Sequence, residues 1–233
     1  MRIRFMSRPF LNATVLFLGI SLFFVQNQIL LLRPMVRKLV VKPGEFAVLV
    51  AMGGLRGVAA DLLYLKADAL WQAGKREEIF PLYRAITFLQ PDYVDYWSLA
   101  GHHLAWNLSF SAVKEKDKLK YINEGLEFLK EGLTYNQDVY KLYFDLGFIY
   151  DHKLKDHDQA IKWYQQAVRF SLHPTYVDRA IAHNLRKKGD FSAAQKEWLR
   201  LKGLYRDDAY HQEIVDLNLK RIADELKEKS RKP

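Results

Sequence analysis

The chain has 233 residues, 49% of them hydrophobic and 14% aromatic, which excludes a disordered polymer and demands a folded core. Net charge is +9 but uneven: residues 1–45 hold Arg2, Arg4, Arg8, Arg33, Arg37, Lys38 and Lys42 against the single acid Glu45. Basicity that flanks an apolar segment points to a membrane, and no Lys/Arg stripe of the kind a nucleic-acid binder carries is evident in the remainder. There is no cysteine, so disulfides, thiolate chemistry and cysteine-based zinc sites are excluded.

Phe10 to Leu32 is an uncharged run of 23 residues between Arg8 and Arg33. At about 1.5 Å per residue, such a helix covers a hydrocarbon core of roughly 30 Å. The run ends in Leu-Leu-Leu-Arg-Pro rather than in a small-residue cleavage site, so residues 1–33 read as an uncleaved transmembrane anchor. A buried core helix is the weaker alternative, since such helices rarely run this long without a charge. Asn12, Gln26, Asn27 and Gln28 are its polar residues and suit the interface or a neighbouring membrane helix. Cations nearly balance across the run, and a short basic head retained in the cytoplasm would export the large domain. Pro34 and Pro43 bracket a linker at 34–45. The stretch Phe46–Leu55 is too apolar for a free surface helix and too short to span. It is expected to dock on the first helix pair or to lie at the bilayer surface.

From Gly44 the apolar residues recur every three or four positions, which predicts helix nearly to the end and no strands. Two series repeat within it. Tyr83, Leu129, Tyr164 and Trp198 are separated by 46, 35 and 34 residues, and the small residues Ala67, Gly101, Gly147 and Ala182 by 34, 46 and 35. Both give a unit of about 34 residues with one unit lengthened by about 12. Each unit is then a helix–turn–helix, whose small residues allow close approach and whose large ones fill the groove between neighbouring pairs. Gly74 and Gly189 are placed to cap first helices, and Pro91 to stop a second one. The extra residues, Asn107 to Lys118, are expected as a loop inside the second unit, its charged end Lys114–Lys118 solvated or, on the sharper reading, the loop in contact with a partner. The fold class is thus all-α: about four helix pairs over 46–206 and a capping helix with a basic tail over 207–233.

The residues Trp97…Gly101…Leu104, Tyr143…Leu146-Gly147…Tyr150…Ala160…Tyr164…Ala167 and the exit Asn136-Gln137-Asp138 resemble the tetratricopeptide repeat (TPR) family over roughly Ala60 to Tyr205. Gly53-Gly54-Leu55-Arg56-Gly57, Leu89-Gln90-Pro91 and Ala105-Trp106-Asn107-Leu108-Ser109 are similar to a group of membrane-anchored bacterial TPR proteins. The resemblance implies an α-solenoid adaptor that binds a protein or peptide partner. The anchor at 10–32 with its short basic head, together with the bacterial origin that the resemblance implies, gives the expectation of an inner-membrane protein whose solenoid faces the periplasm. The resemblance also implies a concave groove lined by Asp61, Tyr64, Asp68 and Trp71; by Asp95, Ser98, His102 and Ala105; by Lys141, Phe144, Phe148 and His152; and by Tyr176, Arg179, His183 and Arg186. That groove would be acidic near the membrane, aromatic in the middle and basic at the far end. The C-terminal helix, folding back, is the alternative cover for Phe144 and Phe148. The family's clamp for a C-terminal carboxylate is not reproduced, since Tyr64 and Asp68 stand where a basic and an amide group are wanted.

No phosphate loop, nucleophile elbow or His-Glu-x-x-His motif is present, so no catalysis, cofactor or small-molecule substrate is expected. His102 and His103 are adjacent on a helix and point about 100° apart, which is unsuited to a shared metal. The cluster Asp151-His152…Asp156-His157-Asp158 reads as a solvated turn. Three roles fit: a scaffold for assembly of an envelope complex, a structural subunit held by its anchor, and a cytosol-facing import receptor.

Overall fold

The computed structural model describes residues 55–231, and these are helices joined by short turns, with no strand among them. The anchor at 1–33, the linker at 34–45 and the apolar stretch that precedes Leu55 lie outside the described residues. Among the described residues no helix is long and apolar enough to cross a membrane. The described residues divide into two compact units, parted between Pro91 and Asp92.

In the first unit α1 (Arg56–Gln72) and α2 (Ile79–Leu89) make a helix pair. Gly74 ends α1 at φ +73°, with its N–H on Trp71 O at 3.0 Å and the Lys75 N–H on Leu70 O at 2.9 Å. This left-handed cap satisfies carbonyls that a helix end otherwise orphans, at a φ that strains any L side chain. Ala60, Ala67, Ile79, Tyr83 and Ile86 are buried in the pair. α2 stops before Pro91, and its Leu89 carbonyl accepts from Arg56 Nε and Nη2 at 3.1 and 2.7 Å. Another face of α1 stays apolar and open: Leu55, Val58, Leu62 and Leu65 are each more than half exposed.

The second unit begins with α3 (Val94–His102), which continues through a π turn at His103–Leu108 and a last turn at Ser109–Ser111. It pairs with α4 (Glu115–Tyr135). Next come α5 (Tyr140–Ile149), continued by a π turn at Tyr150–Leu154, and α6 (His157–Ala167), then α7 (Thr175–Lys187) and α8 (Phe191–Leu204). The helix α9 (Ala209–Arg231) packs on α8. Each helix packs chiefly on its sequence neighbours, the organisation of a solenoid.

The two repeating series meet each other. A Cβ on Gly101 would stand 2.6 Å from Leu129 Cγ, and one on Gly147 would stand 2.7 Å from the Tyr164 ring. Leu129 and Tyr164 therefore each sit on the small residue of their own pair. That corrects the expectation of a filler between pairs, although Tyr164 also joins a cluster with Ile181 of α7. Ala182 and Trp198 share a further cluster, which Val215 and Ile222 of α9 close. Gly189 repeats the Gly74 cap at φ +85°, with Asp190 N–H on Leu185 O at 3.0 Å. At the end of α5 a non-glycine residue, Lys155, takes the left-handed position at φ 56°.

Two expectations fail. The segment Asn107–Lys118 is mostly helix, because α3 runs on to Ser111 and α4 starts at Glu115. Leu108 and Ser109 are buried, Ser109 Oγ donates to Ala105 O at 2.6 Å, and Lys153 Nζ of α5 donates to Ser109 Oγ at 3.3 Å. The turns up to Ser111 thus have a packing partner, while Lys114–Asp117 at the charged end are exposed, as expected. Glu115 and Asp117 sit in the first turn of α4, where the helix dipole favours acids. The Asp151 cluster is likewise not all solvated. Asp151 is buried and accepts from Lys187 Nζ at 2.7 and 2.6 Å and from Asn184 Nδ2 at 3.2 Å. Burial opposes its ionisation, but Lys187, His152 and Asn184 outweigh it and hold the carboxyl below the usual range. Asp156 caps α6, accepting from Gln159 N at 2.9 Å.

Candidate partner-binding groove

First helices of successive pairs present residues spaced by three or four to one side, and in the second unit this builds a pocket. It measures about 370 Å³ and opens between α3, α4 and α5. Asp95, Ser98, Leu99, His102 and Trp106 of α3 line it, with Leu129 of α4 and Lys141, Phe144, Asp145, Phe148 and Ile149 of α5. Six residues expected from the sequence meet here: Asp95, Ser98, His102, Lys141, Phe144 and Phe148. Ala105 does not, because it is fully buried and faces Gly125.

The aromatic side chains form a run. Trp106 lies 5.3 Å from Phe148, Phe148 lies 5.9 Å from Phe144, and Tyr176 of α7 meets Phe144 edge-on at 5.1 Å. His102 stacks on Trp106 at 5.6 Å, and His152 packs on Phe148 at 4.1 Å. Lys153 Nζ stands 4.4 Å from the Trp106 ring centroid. Burial pushes the His102 imidazole below its usual range, and the Lys153 and Lys141 charges add to this against the pull of Asp145. Asp145 accepts from Ser98 Oγ at 2.5 Å and from Lys141 Nζ at 3.4 Å. Its carboxyl is nevertheless raised, because desolvation outweighs both contacts. Trp106 and Asp145 are the groove residues that sequence reading passed over. Trp106 lies just before the expected loop at Asn107, and Asp145 sits one position after Phe144, outside the groove positions that the resemblance implies.

The basic end is placed otherwise than expected. Arg179, His183 and Arg186 are on α7, and none lines the pocket. Arg186 Nη1 pairs with Glu225 of α9 at 2.7 Å. His183 is edge-on to Trp198 at 5.0 Å, and burial, then Arg186, Lys187 and Arg179, lower it to about 4. The helix α9 packs against α7 and α8 and contributes nothing to the pocket, so Phe144 and Phe148 stay uncovered by it. Tyr64, Asp68 and Trp71 belong to α1 of the first unit. There Asp68 is exposed and Arg76 lies over Trp71 at 5.0 Å. Among the described residues no group of three or more His, Asp or Glu residues is arranged to hold a metal.

Stacked helix pairs define an α-solenoid. The tetratricopeptide repeat family matches residues 140–172, the span of α5 and α6, so that helix pair is a tetratricopeptide repeat. The fold of the chain is similar to that of TTC0263, a thermophilic TPR protein of Thermus thermophilus. That similarity has a TM-score of 0.52 at 18% identity, over 69% of this chain and 81% of that one. MamA (41-end) of Desulfovibrio magneticus RS-1 aligns at TM-score 0.47 and 17% identity, over 72% of this chain and 89% of that one. YrrB, a TPR protein with an unusual peptide-binding site, aligns at 0.41 and 16%, over 64% and 72%. No curated protein matches the chain.

Proposed function

We propose that the protein is a membrane-tethered TPR adaptor that binds a protein or peptide segment in its groove and helps assemble an envelope complex. The observation that carries the binding role is the aromatic run Trp106–Phe148–Phe144–Tyr176 across three first helices, beside an open pocket with charged groups at its rim. Rigid rings with flanking charge concentrate binding energy when a partner desolvates them. The tether is supported by the uncharged run Phe10–Leu32 and its basic flanks. A short basic head on an uncleaved anchor favours a periplasmic solenoid at a bacterial inner membrane.

The test is co-purification in detergent from native membranes, with the parent chain compared with Phe148→Ala after both show the same helical circular dichroism. A partner lost from the variant alone supports the groove. A partner retained by both sinks it. Because the chain lacks cysteine, a single Lys227→Cys labelled by an impermeant maleimide in intact spheroplasts reports orientation. Labelling only after lysis would refute the periplasmic placement and favour a cytosol-facing receptor.

One observation favours the second role, a structural subunit. The open apolar face of α1, with Leu55, Val58, Leu62 and Leu65 at 66, 54, 62 and 63% exposure, suits packing against another subunit.

A further inference from the structure

Resting on the groove reading above, we propose that the pocket between α3 and α5 is a subsite for an arginine side chain of the bound partner. Its stem would lie along Phe144 and Phe148, and its guanidinium would hydrogen-bond to Asp145. The carboxylate is the first reason. Both protein donors reach the same oxygen, Oδ2: Ser98 Oγ at 2.5 Å and Lys141 Nζ at 3.4 Å. Oδ1 accepts no hydrogen bond from any described residue. The side chain is one-fifth accessible and lines the cavity. A carboxylate that has lost most of its water and keeps a vacant acceptor position favours a charged donor above any other ligand group.

The charge of the lining is the second reason. It carries two carboxylates, Asp95 and Asp145, against one ammonium, Lys141. Asp95 is exposed at the mouth and makes no ion pair among the described residues. His102 adds little positive charge, being lowered by burial. An acidic side chain would meet both carboxylates, and a purely apolar one would desolvate Asp145 further without compensation.

The rings supply the third. Phe144 and Phe148 face the same cavity, and Lys153 already lies over Trp106 at 4.4 Å, so this wall accepts cations in the geometry of cation–π contact. Between the two basic side chains, the planar and weakly hydrated guanidinium stacks on rings and offers several donors at once. A lysine ammonium offers a compact charge that holds its water. The volume of about 370 Å³ accommodates one long side chain.

The experiment uses the full chain in detergent micelles with ¹⁵N-labelled tryptophan, the Trp106 indole signal being assigned with Trp106→Phe. The probes are N-acetyl-arginine methylamide and its citrulline and norleucine counterparts. Saturable movement of the Trp106 signal by the arginine probe is expected, with citrulline and norleucine weaker by about tenfold or more, the factor one charge-assisted hydrogen bond commands. Asp145→Asn, which keeps a partner for the Ser98 hydroxyl, should weaken the arginine probe by a similar factor. Should that variant lose its helical signal, the exposed Asp95→Asn, expected to weaken binding a few-fold, takes its place. Equal binding of arginine and citrulline, or of arginine and norleucine, would overturn the arginine assignment while leaving the groove reading to its own co-purification test. Failure of the arginine probe to move Trp106 at all would overturn it too.

Discussion

Replacing Gly147 by alanine should destabilise the protein, against the ordinary preference of helices for alanine. The added Cβ would lie 2.7 Å from Cδ1 and Cε1 of Tyr164 and 3.2 Å from Ala160 O, where ordinary contact begins at 3.4 Å. Tyr164 has nowhere to retreat. It is 1% exposed, and Phe144 packs on its ring at 5.4 Å. The helices α5 and α6 must therefore separate, and overpacking of this kind costs about 1–3 kcal/mol. The helix-propensity gain of Gly→Ala returns about 1 kcal/mol, which leaves a net loss of up to roughly 2 kcal/mol. Gly203→Ala in α8 is the matched control, since a Cβ there meets nothing within 4 Å. It should gain roughly 0.5 kcal/mol. Unfolding in urea, followed by helical circular dichroism, measures both. If Gly147→Ala gains as much stability as Gly203→Ala, the close approach of α5 to α6 is refuted.

Three more outcomes are expected. Lys155→Gly should stabilise by about 1 kcal/mol in the same assay, because glycine removes the cost of a left-handed L residue; an unchanged midpoint would deny the φ of 56°. Asp151→Ala should cost about 2–4 kcal/mol, since it strands Lys187 beside a buried site. Because the folded Asp151 carboxyl is lowered, its contribution is complete above the usual carboxylate pKa and disappears as pH falls through the folded value. His183 goes from 6.5 to about 4 in the fold, so the unfolded chain takes up its proton first and stability declines as pH drops across that interval, by at most roughly 3 kcal/mol. His183→Phe should flatten that part of the stability–pH curve. An unaltered slope would show that His183 is not held neutral.

The repeat was legible because the residues that set it act locally. Gly74 and Gly189 announce left-handed caps by type alone, and Gly147 with Tyr164 belongs to a spacing that only a paired helix explains. The pocket was half legible: Asp95, Ser98, His102, Lys141, Phe144 and Phe148 follow from the groove positions that the repeat resemblance implies. Trp106 did not follow, because the π turn at His103–Leu108 departs from the 3.6-residue phase on which those positions rely. Asp151 looked like a turn residue, since its partner Lys187 is 36 positions away. Arg186 seemed free for a ligand for the same reason, its Glu225 partner being 39 residues downstream. Pairings over such distances are set by how the repeats stack, and local spacing holds no record of them.

The two π turns, at His103–Leu108 and Tyr150–Leu154, occupy corresponding places in consecutive first helices. A π turn is what a helix makes of one surplus residue: the screw continues, but everything after it is rotated by about 100°. Upstream of each turn the helix keeps the spacing that locks it to its partner. Downstream, it shows a different set of side chains to the inner face. The inner surface of the second unit can thus be re-aimed by one inserted or deleted residue, while Gly101 and Gly147 and the contacts they permit stay in place. Such a scaffold separates the part that must be conserved to fold from the part that is free to change its correspondent, in the manner of a key whose bow is fixed and whose bit is recut.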